Sequence, residues 1–517
     1  MAWSKYQNDI FDYATSIDAG SFAINAVAGS GKTTTEIECA RRIAAKYPEE
    51  TILFLAFNKS IVEELKERTK EFPGIRCNTL HSLGMGILYR SKLTLNLNDS
   101  KYKNYIKDNY KKLCNKPVTD EPKKMWLFVR NCDELLRLSR INLIKSGDMD
   151  GIKEVAFHHN ISPVANEFDA VSKLLLKSQT LTAFKSAGKK GYDIDYTDMI
   201  CLPLTESFSK FIFKYDTVFI DEAQDLNLAQ QELMQMSIKP GGRFICAGDP
   251  GQSIIGFGGA SNDSFKRLET LAGKTLPLSV NYRCGTSIIN EAKKLVPQIE
   301  AHEGASEGVI EHLKDLSSAQ PGDMVLCRKT APLLEVALNM MANGKSANIK
   351  GKDIAEKMKM LIDRVDTDKN LALTLDVLYN RLDEVLIKLI ADLRERKVEF
   401  IQAHPQYIDM VDKINAIKQI GSRCSSPGEL RELLDKLFVD AITGNAVMLS
   451  TVHKAKGLEA DNVFIICPEL LPMRMDGQLP WELEQEMNLK YVAITRAKKR
   501  LVWVDVDEKN VGSMRVV

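Results

Sequence analysis

The sequence has no CxxC pair and no Cys/His group at zinc spacing, and its ten cysteines are scattered from Cys39 to Cys467. It therefore offers no basis for a zinc site or a disulfide framework, and reduced thiols in a cytosolic setting are expected. No run approaches the roughly 18 apolar residues of a membrane span. The N-terminal MAWSKYQNDI also lacks the basic-then-apolar order of an export signal. A soluble cytoplasmic protein without a membrane partner is the expectation. Biased tracts and short internal repeats are missing too, which excludes fibrous and collagen-like chains. The formal net charge is only +1, so a nucleic-acid partner would have to be met by a local basic face.

What is present is a chain of 517 residues, 44% hydrophobic and 27% charged, long enough for several domains rather than one core. Near-continuous apolar runs occur at 23–28 (AINAVA), 51–57 (TILFLAF), 217–222 (TVFIDE) and 243–249 (RFICAGD). A second set lies at 324–329 (MVLCRK), 447–451 (VMLST), 463–467 (VFIIC) and 500–506 (RLVWVDV). Such runs suit strands buried on both faces of a parallel sheet, and helical patterns separate most of them, so two α/β units in tandem are predicted.

Two helix-rich stretches interrupt these units. Residues 90–145 carry 14 Lys/Arg against 6 Asp/Glu, with Tyr102, Tyr105, Tyr110 and Trp126 among them. This composition fits either a solvated helical face or a nucleic-acid contact surface. Residues 346–444 carry 16 Lys/Arg against 17 Asp/Glu, which gives little support for phosphate binding. Here Leu375, Leu378, Leu382, Val385, Leu389 and Leu393 recur at spacings of three and four. They form one apolar stripe, expected to pack within a helical subdomain rather than in a coiled coil. The segment GSRCSSPGE at 421–429 reads as a loop.

The segment AVAGSGKTTT at 26–35 follows a predicted strand and opens a predicted helix. Backbone N–H groups of Ala28, Gly29, Ser30 and Gly31 can surround phosphate oxygens, and the helix N-terminus adds its positive end. Lys32 is placed to reach the β and γ phosphates of ATP, and Thr33 to ligate Mg²⁺. Ala26 stands where the generic pattern has its first glycine. The strand-end acids of VFIDEAQD at 218–225 complete the site: Asp221 would hold Mg²⁺ and Glu222 would position and deprotonate the attacking water. About 190 residues separate the two motifs, so an inserted subdomain is required.

Taken with these pieces, the order of motifs from residue 7 to about residue 504 resembles the UvrD/Rep group of superfamily 1 helicases. The further matching segments are LAFNKSIVEEL (55–65), TLHSLGMGIL (79–88), GDPGQSIIGFGGA (248–260), LSVNYRC (278–284), STVHKAKGLEADNVFII (450–466) and LKYVAITRAKKRL (489–501). The resemblance implies two RecA-like domains with ATP bound between them, single-stranded DNA across their top, and 3′ to 5′ translocation. In this plan residues 1–90 and 196–275 form the first motor domain, interrupted by a basic helical insertion at 91–195. Residues 276–345 and 445–517 form the second, interrupted by a short helical insertion at 346–444. The partners expected are single-stranded DNA and single-strand/duplex junctions, bound by a monomer or weak oligomer. No appended nuclease or C-terminal interaction domain is expected after the last motif.

By the same resemblance Gln7 reads adenine, Tyr282 stacks on it and Glu459 bonds the ribose. Arg283 and Arg496 would neutralise the γ-phosphate in the transition state, where a guanidinium serves better than an ammonium. Thr34 stands where the family usually has an adenine-packing arginine, which leaves base selectivity open. Phe57, Asn58, His81, Phe257, His453 and Lys454 match positions that contact the strand, and aromatic faces there would stack on any base. Phe257 replaces the usual tryptophan and Gly258 an arginine. Gln252 would stand beside the γ-phosphate only five residues before Phe257, so that one loop could link nucleotide to DNA. The leading expectation is an ATP-dependent DNA helicase. A DNA-stimulated translocase, remodeller or clamp with little strand separation is the alternative, kept open by the short second insertion. An RNA-handling ATPase is a more distant third.

Overall fold

The computed structural model describes residues 3–114, 122–159, 161, 165–254, 264–366, 374–396, 398–440, 445–507, 510–511, 514 and 516. Two compact units emerge, Met1–Ala26 with Gly31–Ser279, and Val27–Ser30 with Val280–Val517.

In the first unit the four apolar runs of the N-terminal set become strands of one six-stranded parallel sheet. Its spatial order is Ile75–Thr79, Ile52–Ala56, Tyr215–Ile220, Ile238–Gly248, Phe22–Ala26 and Thr275–Leu278. Helices bury both faces, so side chains that alternate along one strand enter two different cores. Phe54 joins Ile24, Ile37, Ile43, Phe219 and Ile245 on one side. Leu53 and Leu55 join Val218, Ile220, Leu233 and Phe244 on the other. The two strands not foreseen, Ile75–Thr79 and Thr275–Leu278, are the sheet's edges. Their sequences, IRCNT and TLPL, are half-exposed and one contains proline, a residue sheets tolerate at edges.

Helices Lys101–Asp108, Tyr110–Cys114, Pro122–Ile141, Met149–His158 and Ala165–Ser178 surround a core of their own that includes Ile106, Leu135, Ile152, Val171 and Leu174. A two-stranded ladder of Leu95–Leu97 with Tyr192–Ile194 closes the base of this insertion. Among the described residues, two of its cations do not face solvent. Lys101 and Arg140 are buried against Asp198, Arg140 at 2.5 Å, and Tyr102 donates to the same carboxylate at 3.1 Å.

The second unit carries a seven-stranded parallel sheet in the order Val309–Leu313, Ala497–Val504, Ala460–Ile466, Met324–Cys327, Val447–Thr451, Ala347–Lys350 and Phe438–Val439. Its first and last two strands were not foreseen. Helices Lys352–Val365, Leu375–Glu395, Pro405–Gly421 and Pro427–Leu437 follow the sixth strand. Leu378, Leu382, Leu389 and Leu393 are buried, with Leu375 and Val385 partly so. The expected loop at 421–429 is shorter, spanning 422–426, because Pro427 opens a helix capped by Ser426. These helices share one core with the sheet, where Leu378 and Ile417 lie in a cluster with Val325 and Leu449. The expected insertion limits therefore shift inward: Ala347–Lys350 and Phe438–Val439 pair within the sheet. Thr275–Leu278 likewise pairs with Phe22–Ala26, moving the expected limit at 276 to the end of that strand.

Candidate nucleotide site and nucleic-acid contacts

At the end of strand Phe22–Ala26 the chain turns through Gly29 (φ 64°) and Gly31 (φ 79°) into helix Lys32–Lys46. Both values lie in the left-handed region that glycine enters without the penalty a Cβ imposes. Thr33, at the start of the helix, donates its hydroxyl to Asp221 Oδ2 at 2.7 Å, and Lys32 Nζ lies 4.0 Å from Glu222 Oε1. The phosphate loop and the acidic strand end, 188 residues apart in sequence, are thus joined. Gln7 is buried next to them, its amide donating to Thr35 Oγ1 at 3.0 Å and accepting from Ser4 N–H at 3.0 Å. Thr34 receives a long contact of 3.5 Å from Arg68.

Asp221 is buried, and that burial, followed by the Glu222 charge, pushes its carboxyl up to about 6, against the opposing Thr33 bond and Lys32 charge. Thr33 and Asp221 present a hydroxyl and a carboxylate to one point. This hard-oxygen pair fits Mg²⁺, which takes one or two protein ligands and completes its octahedron with phosphate oxygens and water. Asp221 and Thr33 would hold the ion, and the ion would supply charge neutralisation to the phosphoryl group.

Glu222 adopts φ 54°, outside the range a non-glycine residue favours, and donates its N–H to Asp221 Oδ1 at 2.8 Å. A chain of hydrogen bonds then leads away from it. Gln224 Nε2 donates to Glu222 Oε2 at 2.5 Å, Gln224 Oε1 accepts from Asp249 N–H at 3.1 Å, and Gln252 Nε2 donates to Asp249 Oδ2 at 2.6 Å. Gly248 makes this possible, since a Cβ there would come within 2.9 Å of Gln224 Oε1 and 2.6 Å of the Phe265 ring. Gln224 and Asp249 were not among the expected site residues, although DEAQD and GDPGQ carry them in plain view. Glu36 was missed as well. It is fully buried, and burial first, then the Asp221 and Glu222 charges, hold its carboxyl well above the usual range.

In the second unit Asn281 Oδ1 accepts the N–H groups of Arg283 (2.8 Å) and Cys284 (2.7 Å), fixing the turn that presents Arg283. Arg283 Nε meets Glu459 Oε2 at 2.5 Å, and Lys498 takes the other Glu459 oxygen at 2.6 Å. Tyr282 has the His302 ring 5.5 Å away. Arg496 is enclosed among backbone acceptors. It is 1% exposed and donates to Val492 O (3.0 Å), Leu458 O (3.1 Å) and Thr495 Oγ1 (3.2 Å).

Among the expected strand contacts, Phe57 is 56% exposed at the end of its strand. Asn58 caps the next helix, accepting from Ile61 N–H at 2.9 Å. His81, whose ring burial lowers its pKa, stands edge-on to Tyr196 at 6.1 Å. Tyr196, half-exposed at the start of a short helix, was not foreseen and joins Phe57 as an available aromatic face. In the second unit His453 is pushed down to about 3 by burial and by the charge of Arg328. Lys454 pairs with Asp353 at 2.8 Å. Phe257 and Gly258 lie outside the described residues.

A glycine loop at a parallel-sheet strand end, a helix-borne Lys-Thr and a strand-end acid pair define the class: a P-loop nucleotide-binding protein. The chain belongs to the UvrD/REP helicase family, since the UvrD/REP helicase N-terminal domain matches residues 8–272 and the UvrD-like helicase C-terminal domain residues 353–506. It is 24% identical to F-box DNA helicase protein 1 of Schizosaccharomyces pombe, over 94% of this chain and 56% of that protein. It is 22% identical to ATP-dependent DNA helicase Rep of Buchnera aphidicola subsp. Schizaphis graminum (93% and 90% covered) and 21% identical to ATP-dependent DNA helicase PcrA of Staphylococcus aureus (93% and 80%). The chain thus spans about half the length of the F-box relative and most of the length of Rep and PcrA. Among the described residues no helix is long and apolar enough to cross a membrane.

Proposed function

We propose that this chain is an ATP-dependent DNA helicase that moves 3′ to 5′ along single-stranded DNA and separates duplex at a single-strand junction. The observation that carries the reading is the convergence of Lys32, Thr33, Asp221 and Glu222, with Gln252 wired to Glu222 through Gln224 and Asp249. Lys32 and Mg²⁺ on Thr33 and Asp221 would neutralise the triphosphate. Glu222 would orient and deprotonate water, and Arg283 would meet the charge that develops on the γ oxygens. Gln7, Tyr282 and Glu459 would read the nucleoside. Exposed Phe57 and Tyr196 would stack on bases in a sequence-tolerant way. The family membership and the names of Rep and PcrA support ATP and DNA as the ligands.

The test is unwinding of duplexes with either a 3′ or a 5′ single-stranded tail, with ATP turnover followed in parallel. Strand separation from the 3′ tail alone is expected. Turnover without separation would favour a translocase or clamp, and a 5′ preference would overturn the assigned direction.

A further inference from the structure

Glu459 stands between two cations and gives each of them one oxygen: Oε2 to Arg283 Nε at 2.5 Å and Oε1 to Lys498 Nζ at 2.6 Å. Partial burial alone would raise its carboxyl, but the Lys498 bond and the charges of Arg283 and Lys498 outweigh that and hold it below the usual range. It is therefore a full negative charge at neutral pH. Arg283 has its backbone fixed by Asn281 and its Nη1 directed to Thr495 O at 3.3 Å. Its Nε is the atom that Glu459 takes. A guanidinium recognises phosphate through paired N–H groups along one edge, so an edge engaged by a carboxylate is withheld from a phosphoryl group.

We propose that Glu459 is a positioning residue that competes with the nucleotide phosphates for Arg283, and that Lys498, by taking a share of the Glu459 charge, sets how tightly Arg283 is held. The inference rests on the reading of Arg283 as the γ-phosphate arginine and of Glu459 as the ribose partner. It adds a consequence that neither role alone contains. A ribose hydroxyl that engages Glu459 loosens its hold on Arg283, so sugar recognition is converted into availability of the transition-state cation. Recognition of the sugar then appears in kcat as well as in KM.

Three variants of the full chain test this by steady-state ATPase without and with single-stranded DNA. Glu459→Gln keeps a hydrogen-bonding group for the ribose but removes the charge. It is expected to raise DNA-free kcat by roughly two- to fivefold, the scale of one partly exposed ion pair. Lys498→Met removes the competing cation, tightens the Glu459–Arg283 pair and lowers DNA-free kcat. With 2′,3′-dideoxy-ATP the parent protein should lose kcat relative to ATP, and Glu459→Gln should show equal kcat for both nucleotides. A merely structural role for either residue would move both variants in the same direction and leave the dideoxy effect in KM alone. That pattern, or an unchanged or lowered kcat in Glu459→Gln, overturns the proposal. Arg283→Ala separates the two layers. If it keeps parental kcat, the arginine assignment fails and the competition with it. If it loses kcat while Glu459→Gln gains none, the competition alone fails.

Discussion

In the first unit most charged groups of the candidate site are acids taken out of water, whereas in the second they are mostly cations already engaged by partners. Asp221, Asp249 and Glu36 are all buried, and burial pushes each carboxyl upward. Arg283 rests on Glu459, Lys454 on Asp353, and Arg496 on backbone carbonyls. Crowded acids near Lys32 create a region that favours an added cation, and the Thr33–Asp221 pair is where a divalent ion fits. The paired cations of the second unit have the opposite character: they are stable as they stand and must exchange partners to serve an anion. Binding affinity for the metal nucleotide should therefore be concentrated in the first unit, and control over turnover in the second.

The largest effect should come from Lys32→Ala, which removes the cation 4.0 Å from Glu222 that is proposed to meet the phosphates. DNA-stimulated ATPase should fall by at least about 10²-fold, with single-strand affinity in a filter or anisotropy assay nearly unchanged. Retained turnover would remove the first unit from the chemistry. Arg496→Lys sharpens the second half of the comparison. One ammonium cannot reproduce three donor directions in a buried site, so thermal unfolding should show a loss of about 2–3 kcal/mol as carbonyls go unpaired. Unaltered stability with a large kcat loss would instead assign Arg496 to the phosphates. Asp221→Asn should separate stability from function. It abolishes ATPase yet stabilises the ligand-free fold at pH 7 by about 1–3 kcal/mol, because the ionised carboxylate is costly where it sits. A destabilised variant would contradict the crowded-acid account.

The central strands and the phosphate loop were legible in the sequence because buried parallel strands are written as continuous apolar runs and the loop as glycines before Lys-Thr. Edge strands such as IRCNT at 75–79 and the two-residue pairing at Phe438–Val439 leave no such signature, since one side of each is solvent or a neighbouring helix. Candidate site residues that the fold brings together, such as Lys32 and Asp221, could be read from type and spacing. Those that hold another residue in place could not. Gln224, Asp249, Asn281 and Lys498 become meaningful only once the fold brings them within hydrogen-bond distance of Glu222, Gln252, Arg283 and Glu459. The same limit applied to Asn58 and Arg496, whose motif positions gave no hint that a helix cap and backbone carbonyls claim their side chains.

The smallest effect is also the one that sets the two units against each other by sign. Asp221 has a folded pKa of about 6, above the ordinary carboxylate value, so its contribution to stability is present at low pH and is lost as pH rises through about 6. His453 is displaced the other way, to about 3, below the roughly 6.5 of a free imidazole, because burial and the nearby Arg328 charge disfavour its protonation. The unfolded chain therefore takes up a proton that folded His453 refuses, and this contribution is lost as pH falls below about 6.5. Between pH 7 and 5 the cost should be about 1–2 kcal/mol. His453→Gln should remove it, flattening the acid limb of a denaturant-midpoint profile while leaving the neutral plateau nearly in place. Asp221→Asn should change the same limb in the opposite direction. If both variants bent the profile the same way, the contrast between buried acids in one unit and excluded protons in the other would not hold.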